Sequence, residues 1–142
     1  TSEDPGRPFN TLLVRGAVEA AYRKVHLYDS FGYRESDRLS AGPLDEPGLV
    51  GLGGFTVGLM TCYDLRFPEM ARALVDAGAD LLFVAACGQP APRYSGHSMV
   101  VDPLGDVLAE AGDDADLVRV SIDTETLAEA RRTNPSLANR RL

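Results

Sequence analysis

The chain has 142 residues, which fits one domain, and a compact domain near this size buries about 68–70% of its unfolded surface, so a real core is possible. Apolar residues make up 44% and charged residues 25%, an ordinary globular mix, and the formal charge of −7 makes nucleic acid and anionic membrane poor partners. No apolar run approaches the roughly eighteen residues of a membrane span, and two cysteines without a histidine cluster point neither to a disulfide framework nor to a metal site. The opening Thr-Ser-Glu-Asp-Pro-Gly is polar, unlike a signal peptide, so a reducing, cytoplasmic setting is expected, and no cofactor is implied.

In chain order, residues 1–8 read as loop. Residues 10–15 and 20–25 are strand-like runs on either side of Gly16, a candidate hairpin. Residues 26–54 hold Gly32, Gly42, Pro43, Pro47, Gly48, Gly51, Gly53 and Gly54, and read as a long loop region of the kind that is usually functional. Phe-Thr-Val-Gly-Leu-Met-Thr at 55–61 is apolar and partly β-branched, as a buried strand requires. Pro68 suits a first helical position, Met70, Ala71, Ala73, Leu74 and Ala77 carry helical spacing, and Gly78 suits the residue past the helix end. A second buried strand over 81–86 completes a strand–helix–strand unit. Residues 97–102 and 106–110 read as strands across the turn Asp102-Pro103-Leu104-Gly105, and 117–122 as another strand. Asp123 can cap a helix reaching about Arg132. The fold class is α/β with a mixed sheet.

The segment that carries chemistry is Gly58-Leu59-Met60-Thr61-Cys62-Tyr63-Asp64-Leu65-Arg66-Phe67-Pro68-Glu69. A strand delivers Cys62 into a sharp turn ahead of a helix. Ligands of α/β folds gather at the C-terminal ends of strands, and backbone N–H groups after such a turn can bind an oxyanion. A helix N-terminus also favours a thiolate. Position alone leaves the opposite reading open, because free cysteine is among the most buried residue types. Lys24, in Tyr22-Arg23-Lys24-Val25-His26-Leu27-Tyr28-Asp29, and Glu35, in Tyr33-Arg34-Glu35-Ser36, carry no information singly, since most such residues are solvated surface charges. His26 is expected to order its loop, and Asp64, Arg66 and Glu69 to form ion pairs of the turn and the helix start. His97 is expected to be a strand-end residue and Cys87 a small core residue. Gly96-His97-Ser98 does not make a serine-hydrolase elbow, because Val100 stands where that turn needs glycine.

Taken together, Arg-Lys-Val-His-Leu-Tyr-Asp at 23–29, Glu-Ser at 35–36 and Thr-Cys-Tyr-Asp-x-Arg-Phe-Pro-Glu at 61–69 resemble the nitrilase superfamily of carbon–nitrogen hydrolases. The branch they look like is that of omega-amidases and deaminated-glutathione amidases. Residues 96–105 are similar to the family's late strand–turn motif, so the resemblance covers nearly the whole chain. It implies part of a four-layer αββα sandwich, a small-molecule amide substrate and a homo-oligomer. It also implies a glutamate–lysine–cysteine triad that cleaves a carboxamide to carboxylate and ammonia through a thioester. Cys62 matches the nucleophile and Lys24 the triad lysine. Glu35 matches a second glutamate that holds the lysine charged and oriented, and the Tyr63 backbone N–H matches an oxyanion donor. The general-base glutamate has no match, as Glu3 and Glu19 lie in the wrong context.

A second departure lies at 81–89. There Leu82-Phe83-Val84 runs straight into Ala85-Ala86-Cys87-Gly88-Gln89, where the family has a long connection. A parallel crossover needs about a dozen residues or more, so two strands read as fused, with a break expected near 84–87. The 142 residues therefore read as a single, incomplete hydrolase domain. The alternative is an inactive or partial subunit without the general base.

Overall fold

In the computed structural model, which describes residues 6–86 and 96–141, the chain divides into two units, residues 1–87 and 88–142. The first is organised around one strand. β1 (Thr11–Val14) and β2 (Ala20–Arg23) form an antiparallel hairpin in which Val14 pairs with Ala20. β3 (Asp29–Ser30) and β4 (Tyr33–Arg34) form a second, very short hairpin. Its two-residue turn is Phe31-Gly32, with φ of 53° and 78°, the doubly left-handed geometry that matches strand twist. A 3₁₀ turn follows at Glu35–Asp37.

β5 (Leu49–Leu52) and β6 (Phe55–Thr61) are antiparallel across Gly53-Gly54, with φ of 59° and 86°. A side chain at either turn position would be strained. The region over 26–54 is therefore not one long loop. Two tight hairpin turns, Phe31-Gly32 and Gly53-Gly54, break it into paired segments.

β6 passes through the 3₁₀ turn Cys62–Arg66 into α1 (Pro68–Asp76), and β7 (Leu81–Ala85) returns parallel to β6, Val57 opposite Leu81. Pro68 opens α1, where its missing N–H costs nothing. The helix closes through Gly78, at φ 102°, whose N–H donates to the Val75 carbonyl at 3.0 Å, while the Ala79 N–H donates to that of Leu74 at 2.9 Å. The strand–helix–strand unit expected from the sequence is present.

Side chains of a strand alternate between faces, and β6 uses both. Leu59 packs with Tyr22 and Val25 from the hairpin side, with Leu12, Val14 and Val57 around them. Met60, on the opposite face, packs with Leu74 and Ala79. Gly58 shares that face, and a methyl group there would lie 3.2 Å from the Leu74 Cβ, so the helix rests directly on the strand. Among the described residues β7 is an edge strand, in the order β5-β6-β7, and the expectation that it is buried is corrected: Leu82 and Phe83 are exposed. The break expected near 84–87 falls at the limit of the described residues. β7 keeps its register through Ala85, and Cys87 lies outside them.

In the second unit, β8 (Met99–Val101) and β9 (Val107–Glu110) are antiparallel. The Asp102 carboxylate holds their turn by accepting from the Leu104 N–H at 2.7 Å and the Asp106 N–H at 2.9 Å. The His97 imidazole, just before β8, meets Glu110 at 2.8 Å and Asp113 at 3.1 Å. α2 (Thr124–Thr133) is capped by Asp123. The strand expected over 117–122 is not formed: that segment pairs with no strand among the described residues, and Leu117 and Ile122 are exposed. β-branched residues make a strand only where a partner ladder takes up the backbone groups.

Candidate active site

Lys24 lies one residue past β2, and its backbone is fixed on both sides. Its N–H donates to the Asn10 carbonyl at 2.9 Å, and its carbonyl accepts from the Gly42 N–H at 2.8 Å. Its side chain is 2% exposed, and the ammonium donates to Glu35 Oε2. Glu35, 7% exposed, also accepts from the Tyr28 N–H at 2.7 Å and from Asn10 Nδ2 at 3.4 Å. The β3–β4 hairpin makes this possible, because it returns the chain to Tyr28, whose carbonyl accepts from the Glu35 N–H at 3.0 Å. Buried charges persist where they are paired and hydrogen-bonded, and both conditions hold here. The surface reading of Lys24 and Glu35 is thereby excluded.

Cys62 leaves β6 with φ of 50°, the left-handed region, in a half-buried position. For a residue other than glycine this conformation costs on the order of 1–3 kcal/mol and persists only where its surroundings enforce it. Asp64, two residues on, is 0% exposed, and its carboxylate accepts four hydrogen bonds. Oδ2 accepts from the Thr61 N–H at 2.9 Å and the Tyr22 hydroxyl at 2.7 Å. Oδ1 accepts from the His26 N–H at 2.9 Å and lies 2.8 Å from His26 Nδ1. The turn that carries Cys62 is thus tied to the chain on both sides of Lys24. Burial, and then the hydrogen bond to Asp64, hold the Tyr22 phenol well above the ordinary tyrosine range.

A row of rings fixes the turn from outside. His26 stacks on Phe67 at 3.9 Å between centroids. Tyr63 stands edge-on to Phe67 at 5.2 Å and to Tyr28 at 4.9 Å. Edge-on pairs of this kind are worth about 0.5–1.5 kcal/mol each beyond burial.

The structure thus joins Lys24 to Glu35 directly, and joins the Cys62–Tyr63 turn to the Lys24 strand through Asp64. Asp64 serves the turn as expected, through the Thr61 N–H, but the expectation that its ion pair is local is corrected: its charged partner is His26, 38 residues away, and it also accepts from Tyr22, 42 residues away. Arg66 and Glu69 form no ion pair among the described residues. Sequence reasoning missed Asn10, Tyr22 and the reach of Asp64. Tyr22 could have been found, because strand alternation puts it on the same buried face as Lys24.

The family pattern of carbon-nitrogen hydrolases matches residues 2–93 and residues 82–132. Deaminated glutathione amidase of Escherichia coli O157:H7 is 34% identical over 168 residues, covering 96% of this chain and 64% of that protein. The alignment is longer than the 142-residue chain, so the relative carries residues within the matched span that this chain lacks. The chain therefore spans a little under two thirds of that relative.

Among solved structures, the Caenorhabditis elegans NitFhit protein superposes with a TM-score of 0.84 at 30% identity, covering 97% of this chain and 43% of that one. An amidase of the nitrilase superfamily from Nesterenkonia sp. AN1 superposes with a TM-score of 0.63 at 28% identity, covering 85% of this chain and 58% of that one. In that structure, a glutamate-to-glutamine variant, the active-site cysteine has taken up acrylamide by Michael addition. The chain belongs to the carbon–nitrogen hydrolase family and has the α/β fold of the nitrilase superfamily.

Proposed function

We propose that the protein to which this chain belongs is a cysteine-dependent amidase that cleaves the C–N bond of a small carboxamide. Cys62 is the nucleophile, Lys24 and the Tyr63 backbone N–H are the oxyanion donors, and Glu35 holds the lysine. The observation that carries this reading is the buried Lys24–Glu35 pair together with a strained Cys62 turn that Asp64 ties to Tyr22 and His26, on either side of Lys24. A lone ammonium would be costly in such a place, and hydrogen bonding to Glu35 fixes its direction. Tyr63 is held between two rings, which restrains the turn that carries its N–H, and preorganised donors are what stabilise developing charge.

In this mechanism a base removes the Cys62 proton, and sulfur attacks the carboxamide carbon. Charge grows on the carbonyl oxygen, facing Lys24 and Tyr63. The C–N bond breaks, ammonia departs with a proton returned by the base, and a thioester remains. Water, deprotonated by the same base, releases the carboxylate and the thiol. The base is a glutamate in the resemblance and has no match in these 142 residues.

A second reading, an inactive or partial subunit, is favoured by a specific observation: the two family matches overlap over residues 82–93, as they would if two strands had been joined. One experiment separates the two. Ammonia release from a deaminated-glutathione-type carboxamide is measured on the purified protein and on Cys62→Ala and Cys62→Ser. The amidase reading expects turnover that both variants abolish, serine being a far poorer nucleophile in a site built for a thiol. Wild-type protein without turnover, and without a covalent adduct on Cys62, would leave the second reading standing.

A further inference from the structure

Cys62 occupies a backbone conformation that its own side chain disfavours, so something must hold it. The candidates are few. Thr61 and Asp64 bracket the strained residue, and the Thr61 N–H donates to Asp64 Oδ2 across it at 2.9 Å. The turn is thus closed on itself by a carboxylate. That carboxylate is in turn held by groups from another part of the chain, the Tyr22 hydroxyl and the backbone and ring nitrogens of His26. Tyr22 and His26 stand two residues before and two after Lys24. Tyr22 is fixed by its own surroundings, since its ring packs against Gly48, where any Cβ would lie 2.6 Å from the ring. The Tyr22 oxygen also accepts from the Val25 N–H at 3.3 Å.

We propose that Asp64 is a positioning residue: its carboxylate locks the left-handed Cys62 turn to the Lys24 strand and so sets the nucleophile and the oxyanion donors in one register. The inference rests on the amidase reading for its catalytic consequence, but the lock itself is a property of the fold. A buried carboxylate is an effective clamp because it accepts from several donors at once, and hydrogen bonds to a charged acceptor are roughly twice as strong as neutral ones. An asparagine cannot replace it. Each carboxylate oxygen accepts from one backbone N–H, that of His26 or that of Thr61, so the amide NH₂ would meet a fixed donor whichever way it turned.

The test uses Asp64→Asn and Tyr22→Phe in the whole protein, with three measurements: kcat and KM for the carboxamide, amide hydrogen exchange, and thermal unfolding. Asp64→Asn is expected to lower kcat by about tenfold or more and leave KM within about twofold, as befits a displaced reacting group with substrate contacts intact. Exchange at the Cys62, Tyr63 and His26 amides should rise by about tenfold, while the amides of α1 and β7 keep their protection. Tyr22→Phe removes one donor and keeps the ring, and is expected to move the same quantities in the same direction by a few-fold. It serves as the test if Asp64→Asn does not fold.

A folded variant with wild-type kcat and wild-type exchange at 62–63 would overturn the proposal. So would a fall in kcat accompanied by faster exchange throughout the first unit, which would make Asp64 a merely structural residue. If the wild-type protein hydrolyses no carboxamide, the amidase reading fails, and the exchange measurement still decides whether Asp64 is the lock.

Discussion

The two units solve the problem of carrying charge and polar backbone in opposite ways. In the first, cations and carboxylates are taken inside: Lys24, Glu35 and Asp64 are buried beside Tyr22, Leu59 and Met60. In the second, none of the described residues 96–141 is buried, and most polar contacts are local, those of His97 with Glu110 and Asp113 reaching further. Asp102 folds its own turn, Asp123 caps its own helix, and Glu129 meets Arg132 one helical turn on. A single hairpin and a ten-residue helix are each marginal in water when taken alone. The second unit's turn and helix cap are therefore held by sequence-local chemistry and its polar contacts stay exposed, whereas the first unit buries its charged groups, and Asp64 there meets residues 38 and 42 positions away. Energies of outwardly similar pairs should differ accordingly.

The sharpest test sets one ion pair against the other. Lys24→Met keeps the aliphatic stem and leaves the Glu35 carboxylate buried without its cation. Removing one partner of a buried pair costs about 3–5 kcal/mol. The same change at Arg132, whose side chain is 64% exposed, is expected to cost about 0–1 kcal/mol, the usual worth of a surface pair. Urea unfolding of the two variants measures both. On the proposed amidase reading, Lys24→Met should also lose roughly a hundred- to a thousand-fold in turnover, the usual effect of removing one oxyanion donor. Equal destabilisation by the two substitutions would erase the distinction between the units.

A smaller effect should appear in alkali. The folded-state pKa of Tyr22 lies above its unfolded value near 10. A group raised in this way contributes stability that is complete below the unfolded pKa and is lost as pH rises through the folded one. Stability should therefore fall from about pH 10 upward, and Tyr22→Phe should flatten that limb. An alkaline limb of unchanged slope in Tyr22→Phe would assign the titration to another group.

Much of this was legible in the sequence where the signal was local. Pro68, Gly78 and the apolar run of β6 announce the strand–helix–strand unit, and Asp123 announces α2. Lys24, Glu35 and Cys62 stood out only as parts of motifs, because no residue type by itself distinguishes a buried lysine from a solvated one. Other features escape a local reading for physical reasons. The hairpin turns at Phe31-Gly32 and Gly53-Gly54 were lost in a glycine-rich stretch, since the same glycines serve loops and tight turns alike. Residues 117–122 have strand composition and no partner ladder, and pairing is a non-local fact that composition does not carry. The position of Asp64 announces its role in the turn, met by the Thr61 N–H, but not its longer reach, since two of its four donor groups belong to His26 and a third to Tyr22.

The smallest expected effect belongs to the cap of α2, and it isolates the local side of the comparison. The Asp123 carboxylate accepts from the Thr126 N–H at 2.7 Å and the Thr126 hydroxyl at 2.9 Å. These bonds, the backbone one first, hold its pKa below the ordinary aspartate value. The cap's contribution is then present above the unfolded pKa, near about 3.9, and is lost as pH falls through the lower folded value. Asp123→Ala should reduce helical character in residues 124–128 at neutral pH and abolish its further loss in acid. Asp123→Asn should keep most of the helix, because asparagine caps about as well as aspartate, and should show no acid limb because it does not titrate there. Backbone carbon chemical shifts of 124–128 followed from neutral to acid pH read both effects. A helix that responds to acid equally in all three proteins would mean that its start is held by something other than its own first residue.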